Sequence, residues 1–304
     1  MPEEKPQKIT IPFIQAKKEN REKIVAITAY DFPVAKIVDE NGIDLILVGD
    51  SLGMVVLGYE NTIPVTMEDM IHHTKPVVRA SKRALVVGDM PYFSFHLSNE
   101  ESVFNASLFL KEAGANAVKI EGASKKRLKL IVTMVEAEIP VMGHVGLTPQ
   151  SIHHLGQFKV KGREIDEAEK IIQDAQNLEK AGVFSVVLEC IPMEVARIIT
   201  EKLKIPTIGI GAGPYCDGQI LVFHDLVGFS NGYLPKFVKK YGDIHELISQ
   251  AVIGYIDDVK KGKFPDSSHS YHLKSEKIKE LIKKEHGSPG RKKRKAWKDV
   301  KLET

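Results

Sequence analysis

The chain predicts a (β/α)8 barrel, and three observations carry that reading. Short, unalternated runs rich in Val, Ile and Leu recur along it, among them DLILVGD ending at Asp50, ALVVGD ending at Asp89 and SVVLE ending at Glu189. A strand buried on both faces of a parallel sheet reads this way. Amphipathic stretches alternate with these runs from start to finish, as expected for parallel strands joined by helical crossovers. Five runs end on a polar side chain: Asp50, Asp89, Glu121 in AVKIE, His144 in VMGH, and Glu189. Polar groups at one end of several buried strands describe a barrel mouth, because those ends open onto a common site.

The elements follow in order. A first strand at 24–30 feeds a helix at 33–41, which Gly42 stops. The second strand, 44–49, ends at Asp50. The long Gly-containing connection after it, SLGMVVLGYENTIPV, suggests a functional loop over the site. Thr66, with Asp69 three residues on, forms a capping box for a helix at 67–82. The third strand, 84–89, precedes a helix at 100–113, opened by Ser98 with Glu101 and closed at Gly114. Strand 117–121 and helix 124–137 come next. Strand 139–144 then leads into a second long connection, GLTPQSIHHLGQFKVKGR. Helix 164–181 stops at Gly182, strands 185–190 and 206–210 flank a helix at 193–203, and strand 219–223 with helix 243–260 completes the set.

Composition bounds the organisation. The 304 residues are 43% hydrophobic and 27% charged, enough for the core of one barrel of roughly 250 residues. No run approaches the ~18 apolar residues of a membrane span, so no membrane association is expected. The opening MPEEKPQKIT lacks the apolar stretch of a signal peptide. Cys190 and Cys216 form no CxxC pair, so neither a disulfide framework nor a zinc site is indicated. A reducing cytoplasm is the expected compartment. Net charge is +3, but the seven Lys or Arg and two Asp or Glu from His286 onward supply +5, leaving −2 on residues 1–285. The expected division is a catalytic barrel at 1–266 and a Lys-rich appendage at 267–304, in which LKSEKIKELIKKEH suits a short surface helix. The cluster RKKRK at 291–295, with Trp297, could touch nucleic acid. A solvated tail is the plainer reading, and nucleic acid is not an expected partner.

Asp50, Asp89 and Glu121 present three carboxylates from three neighbouring strands. Converging carboxylates repel unless a cation or proton compensates, and oxygen-only ligands suit a hard ion such as Mg²⁺. The bland alternative is that each caps the helix after its strand. Glu189 closes a wholly apolar strand, so partial desolvation makes it a plausible general base; the alternative is a salt bridge to a Lys or Arg at the mouth. Lys119 alternates with Glu121, so both point inward while Val118 and Ile120 face outward. An inward Lys needs a carboxylate or a substrate anion. His144 alone would read as a hydrogen-bonded core histidine. Ser51 either caps the chain after Asp50 or donates to a bound anion. The adjacent pairs His72-His73 and His153-His154 face different directions and indicate no metal. GIGAG at 209–213 could let backbone N–H groups approach an anion, a weak signal.

Together, ITAYDFPVAKIVD, ILVGDSLGMVVLGYENTIPVTMEDMIHHT, VVGDMPYFSF, AVKIEG, GHVGLTPQSIHHLG, VLECIP and IGIGAGPYCDGQILVFHDLVG resemble the ketopantoate hydroxymethyltransferase family over roughly residues 6–270. VGDSLGM and GHVGLTPQS in one chain are the most specific of these. Two features depart from the family: Gln157 stands where a second Gly is usual, and the tail beyond about residue 272 is absent from most members. The resemblance implies a (β/α)8 barrel of the phosphoenolpyruvate mutase/isocitrate lyase type. It also implies Mg²⁺-dependent transfer of a one-carbon unit from 5,10-methylenetetrahydrofolate to 3-methyl-2-oxobutanoate, giving 2-dehydropantoate for pantothenate and coenzyme A synthesis. On this sequence it marks Asp50, Asp89 and Glu121 as metal-site residues. Asp50, Ser51, Asp89 and Lys119 would border the ketoacid, Glu189 would be the proton acceptor, and His144 would line the site. It further implies a homo-oligomer, often a decamer.

The chemistry fits those residues. A 2-oxo acid offers a carboxylate oxygen and a ketone oxygen at chelating distance, and Mg²⁺ on both would acidify C3–H and stabilise the enolate. Two other readings compete. One is a Mg²⁺-dependent 2-oxo acid carbon–carbon lyase of the same superfamily, which usually carries a Cys in a KKCGH-type loop; the loops here read MPYFSFH and EGASKK. The other is a non-catalytic barrel binding nucleic acid through its tail, which predicts loss of carboxylates that are present.

Overall fold

A computed structural model of the chain describes residues 7–156, 159–230 and 234–286. Eight parallel strands close into a barrel in sequence order. They are β1 (Ile24–Thr28), β2 (Leu45–Val48), β3 (Leu85–Asp89), β4 (Ala117–Glu121), β5 (Val141–Gly146), β6 (Ser185–Glu189), β7 (Thr207–Ile210) and β8 (Gly218–Leu221). Every expected strand is present, most of them trimmed by a residue or two. β5 is displaced: Val145 and Gly146 pair with Leu188 and Glu189 of β6, so His144 lies inside the strand and not at its end.

Side chains on each strand divide by parity. Leu45, Leu47, Leu85, Val87, Ala117, Met142, Val187, Ile208 and Ile220 fall in one apolar cluster, the barrel interior. Ile46, Val48, Val86, Val118, Ile120, Val186 and Leu188 fall in a second, with helix residues such as Phe109, Ile131 and Leu178. Burial on both faces is why these strands lack alternation. Lys119 and Glu121 share the inward parity of Ala117, as expected.

The helices are α1 (Ile11–Glu19), α2 (Phe32–Glu40), α3 (Leu52–Val55), α4 (Met67–Ala80), α5 (Asn99–Lys111), α6 (Lys125–Glu136), α7 (Ile152–Leu155), α8 (Ile165–Lys180), α9 (Met193–Lys202), α10 (Phe223–Leu226), α11 (Ile244–Lys260) and α12 (Ser275–His286). Both capping boxes form, Thr66 with Asp69 and Ser98 with Glu101. Gly42, Gly114 and Gly182 take left-handed conformations just past α2, α5 and α8. α1 has no counterpart among the expected elements. It buries only Ile14, and its basic residues reach the barrel instead: Lys17 pairs with Asp44 at 2.6 Å and Lys18 with Asp217 at 2.9 Å. With Ile9 and Ile14 inside the interior cluster, this segment plugs the end of the barrel at the strand starts, opposite the polar mouth.

Residue contacts divide the chain into two compact units, Met1–His245 with the whole barrel and Glu246–Thr304. The expected tail helix is α12. Gln157, RKKRK and Trp297 lie outside the described residues. No helix among the described residues is long and apolar enough to cross a membrane.

Candidate active site

Strand register assembles the mouth. Asp89 lies beside Lys119, Glu121 beside His144, and Gly146 beside Glu189, on successive strands β3 to β6. Asp50 and Ser51 follow β2 directly, and the Asp50 backbone N–H donates to Asp89 Oδ2 at 3.3 Å. All seven residues singled out in the sequence are thereby linked through side-chain or backbone contacts.

Lys119 Nζ donates to both carboxylate oxygens of Asp89 at 2.7 Å, with both residues buried. The internal Lys–Asp pair is therefore real. Burial alone would strip the Lys119 charge, but Asp89 and then Asp50 outweigh it and hold the ammonium above its usual range. Asp50 is the opposite case: burial, then the Asp89 charge, push its carboxyl up to about 7, against the pull of Lys119 and a hydrogen bond from Gln150 Nε2 at 2.9 Å. Burial and then Asp50 raise Glu121 well above the ordinary glutamate range. Four carboxylates face one ammonium here, so the mouth favours any cation that can enter.

The capping alternatives fail. Ser51 occupies the N-cap position of α3 without a side-chain cap bond, and its Oγ meets the Tyr30 hydroxyl at 2.8 Å instead. Asp50 spends Oδ2 on Gln150, and Asp89 spends its oxygens on Lys119 and the Asp50 amide. His144 is 1% exposed, yet neither ring nitrogen makes a hydrogen bond. Its Nε2 lies 3.2 Å from Glu189 Oε2 and its Nδ1 3.8 Å from Glu121 Oε2, poised between two carboxylates without bonding geometry to either. Glu189 has this histidine as its neighbour and not a Lys or Arg. Its side chain is 19% exposed against 7% for Glu121, so it is less desolvated than its apolar strand implies.

The backbone around Glu189 is specialised. Gly146 has φ +100°, and a Cβ there would stand 2.2 Å from the Glu189 carbonyl oxygen, so only glycine allows β5 and β6 to close at this point. Cys190, next in the chain, holds φ 48°, a conformation costing a non-glycine residue ~1–3 kcal/mol and concentrated at functional sites.

Other sequence candidates take structural roles. Phe237 and Met193 fill the space that side chains at Gly211 and Gly213 would need, so GIGAG is explained by packing. His73 Nδ1 contacts the Tyr30 carbonyl at 2.7 Å, with the His72 ring edge-on to it. Gln150 and Tyr30, which buttress Asp50 and Ser51, carried no spacing signal. Gln150 lies in a loop flagged only for its length.

Among the described residues no three His, Cys, Asp or Glu side chains are gathered closely enough to hold a metal by themselves. Asp89 turned toward Lys119 and Asp50 toward Gln150 account for this. Comparison with known proteins fits the geometry. The sequence profile described as ketopantoate hydroxymethyltransferase matches residues 8–267. The chain belongs to this family. A relative from Syntrophomonas wolfei, named 3-methyl-2-oxobutanoate hydroxymethyltransferase, is 53% identical over 274 residues, 90% of this chain and 99% of the relative. One of the same name from a Thermoanaerobacter species is 57% identical over 264 residues, 87% of this chain and 96% of its own. Among solved structures, a 2,3-dimethylmalate lyase of the PEP mutase/isocitrate lyase superfamily superposes with TM-score 0.56 at 14% identity, covering 93% of this chain and 97% of the lyase. That likeness establishes the fold alone, a closed eight-stranded β/α barrel. This ketopantoate hydroxymethyltransferase family member is accordingly an enzyme, a hydroxymethyltransferase.

Proposed function

We propose that this family member hydroxymethylates C3 of 3-methyl-2-oxobutanoate, taking the carbon from 5,10-methylenetetrahydrofolate and the hydroxyl oxygen from water, and so forms 2-dehydropantoate and tetrahydrofolate, with Mg²⁺ as its metal. The observation that supports this most is the buried surplus of negative charge at Asp50, Asp89 and Glu121 beside Glu189 and His144. Asp50, Asp89 and Glu121 would hold the ion. Mg²⁺ keeps waters and takes substrate oxygens, so it needs only one or two protein carboxylates directly. A cation there relieves the burial and repulsion that raise Asp50 and Glu121. When bound, Mg²⁺ supplies electron withdrawal at the ketone and charge stabilisation for the enolate.

The chain's own residues do the rest. Lys119 has three N–H groups, of which two go to Asp89, leaving the third for the ketoacid carboxylate. The Tyr30 hydroxyl and Ser51 Oγ share one hydrogen bond at 2.8 Å, in which either can donate, and the arrangement with Tyr30 donating leaves the Ser51 O–H for the same anion. Asp50 and Asp89, beside Ser51 and Lys119, also border the ketoacid. Glu189 takes the proton from C3, its exposed edge giving the carboxylate room to reach substrate. His144, with Nε2 3.2 Å away, flanks that carboxylate. Free Cys190 and Cys216 support a cytoplasmic enzyme. Family resemblance supports a homo-oligomer, a decamer. Residues 1–266 form the catalytic part in this reading, with 267–304 an appendage.

Deuterium exchange at C3 of 3-methyl-2-oxobutanoate, with Mg²⁺ and without folate, tests the reading. Exchange that requires both protein and metal is expected. Folate-dependent turnover without any C3 exchange would sink the proton-abstraction step.

A further inference from the structure

A cavity of about 530 Å³ opens beside Glu121, away from the Lys119–Asp89 pair. That volume lies within the range of small-molecule sites. Tyr92, His96, Glu121, Arg127, Gln150 and Lys170 are among its walls. Two of these, Glu121 and Gln150, also belong to the mouth: Glu121 neighbours His144, and Gln150 holds Asp50. The cavity is thus continuous with the reacting centre, which it meets at Glu121, while Lys119, Asp89 and Glu189 are not among its walls.

Its walls specify a ligand chemistry. Gln150 is 5% exposed; its amide N–H₂ is spent on Asp50 Oδ2 and the Met90 carbonyl, while Oε1 is buried without a hydrogen-bond partner among the described residues. A buried acceptor left open costs ~1–3 kcal/mol unless something donates to it. The Tyr92 and His96 ring centroids lie 5.4 Å apart with the planes tilted by 48°, and Tyr92 remains 39% exposed. Burial, then Arg127, hold the His96 imidazole down at about 4, so it meets a ligand as a neutral ring. Arg127 lies over the Phe95 ring at 3.9 Å and donates to the Glu121 and Phe95 carbonyls and toward His96 Nε2. Three of its five N–H groups are thereby used, and no ion pair forms at Arg127 among the described residues. Lys170, exposed on α8, adds a second cation at the outer rim.

We propose that this cavity seats the folate co-substrate. Its pterin ring lies against Tyr92 and His96 and donates an N–H to Gln150 Oε1, and its acidic tail runs out toward Arg127 and Lys170. The proposal rests on methylenetetrahydrofolate being the one-carbon donor, and it places the donor's methylene toward the Glu121–His144 side of the mouth.

Tyr92→Ala and Lys170→Glu, made in the full-length Mg²⁺-loaded enzyme, test this, and both side chains reach solvent, so the fold should tolerate each. The KM for 5,10-methylenetetrahydrofolate should rise about five- to tenfold in each variant. The KM for 3-methyl-2-oxobutanoate and folate-free C3 exchange should stay within about twofold of the parent. A folate KM unchanged in both variants overturns the proposal. So does a fall in C3 exchange that matches the fall in transfer, since these side chains would then serve the ketoacid. If the parent itself shows no C3 exchange, the mechanism above fails separately. Titration of tetrahydrofolate into the variants then decides about the cavity, equal binding overturning it.

Discussion

Burial at the mouth does not act equally on its carboxylates, and that inequality separates roles. Asp50, Asp89 and Glu121 are shut in and short of positive charge, with Gln150 holding Asp50 and Lys119 holding Asp89. Glu189 keeps an exposed edge, and among the described residues its carboxylate has His144 as its ionic neighbour. A base and a metal ligand fail differently when altered. Glu189→Gln keeps the shape but cannot accept a proton, so ketoacid and Mg²⁺ should still bind while C3 exchange falls by ~10²–10⁴-fold, the usual loss for a positioned base. Isotope exchange read by NMR beside a ketoacid titration checks this. Near-parental exchange with weakened ketoacid binding would make Glu189 a binding residue and move the base role to His144. The sequence exposed these seven residues because each lies at or near the end of an apolar run. It hid Tyr30 and Gln150 because they act through other side chains from ordinary positions.

At the scale of elements, legibility followed burial. Strands buried on both faces announce themselves as apolar runs, and long helices with capping boxes announce their starts. α3, α7 and α10 have four residues each, too few to display a helical period, and α1 escapes because Ile14 is its one buried residue, with ion pairs from Lys17 and Lys18 adding to its hold on the barrel. β5 ran two residues later than its apolar run because pairing with β6 extends it through Gly146. The caps yield a prediction confined to this scale. The Thr66 side chain accepts from the Asp69 amide, and Asp69 bonds back to the Thr66 amide, at the start of α4 beyond the long loop after Ser51. Thr66→Ala should cost ~1 kcal/mol, read as a lower urea midpoint at unchanged slope. Turnover per folded molecule should stay near parental, and a selective loss of activity would show that the cap also sets the loop.

For the whole molecule, α12 and the basic tail lie beyond the profile match at 8–267, and the relatives are covered almost end to end while about a tenth of this chain is left over. Truncation after His272 should therefore leave turnover within a few-fold of the parent. A soluble, assembled but inactive product would give the tail a part in catalysis. The charge surplus at the mouth makes a second global prediction. Asp50 rises from an ordinary 3.8 to about 7 through burial and then Asp89, and Glu121 rises well above 4.5 through burial and then Asp50. In the pH window between those ordinary values and the raised ones, the folded metal-free state binds more protons than the unfolded chain. The stability these groups contribute is therefore complete below about pH 4 and is lost as pH climbs, for Asp50 through about 7 and for Glu121 well above its ordinary range. A divalent ion competes with those protons and restores what their loss removes. Mg²⁺ should accordingly raise Tm more at about pH 8 than at about pH 5.5, measured by thermal unfolding in Mg²⁺ and in EDTA. Comparing the two solutions at each pH cancels every titration that does not involve the metal. Equal gains at both pH values, or no gain at either, would remove Asp50 and Glu121 from the metal site and leave their raised carboxyls to be neutralised by protons alone.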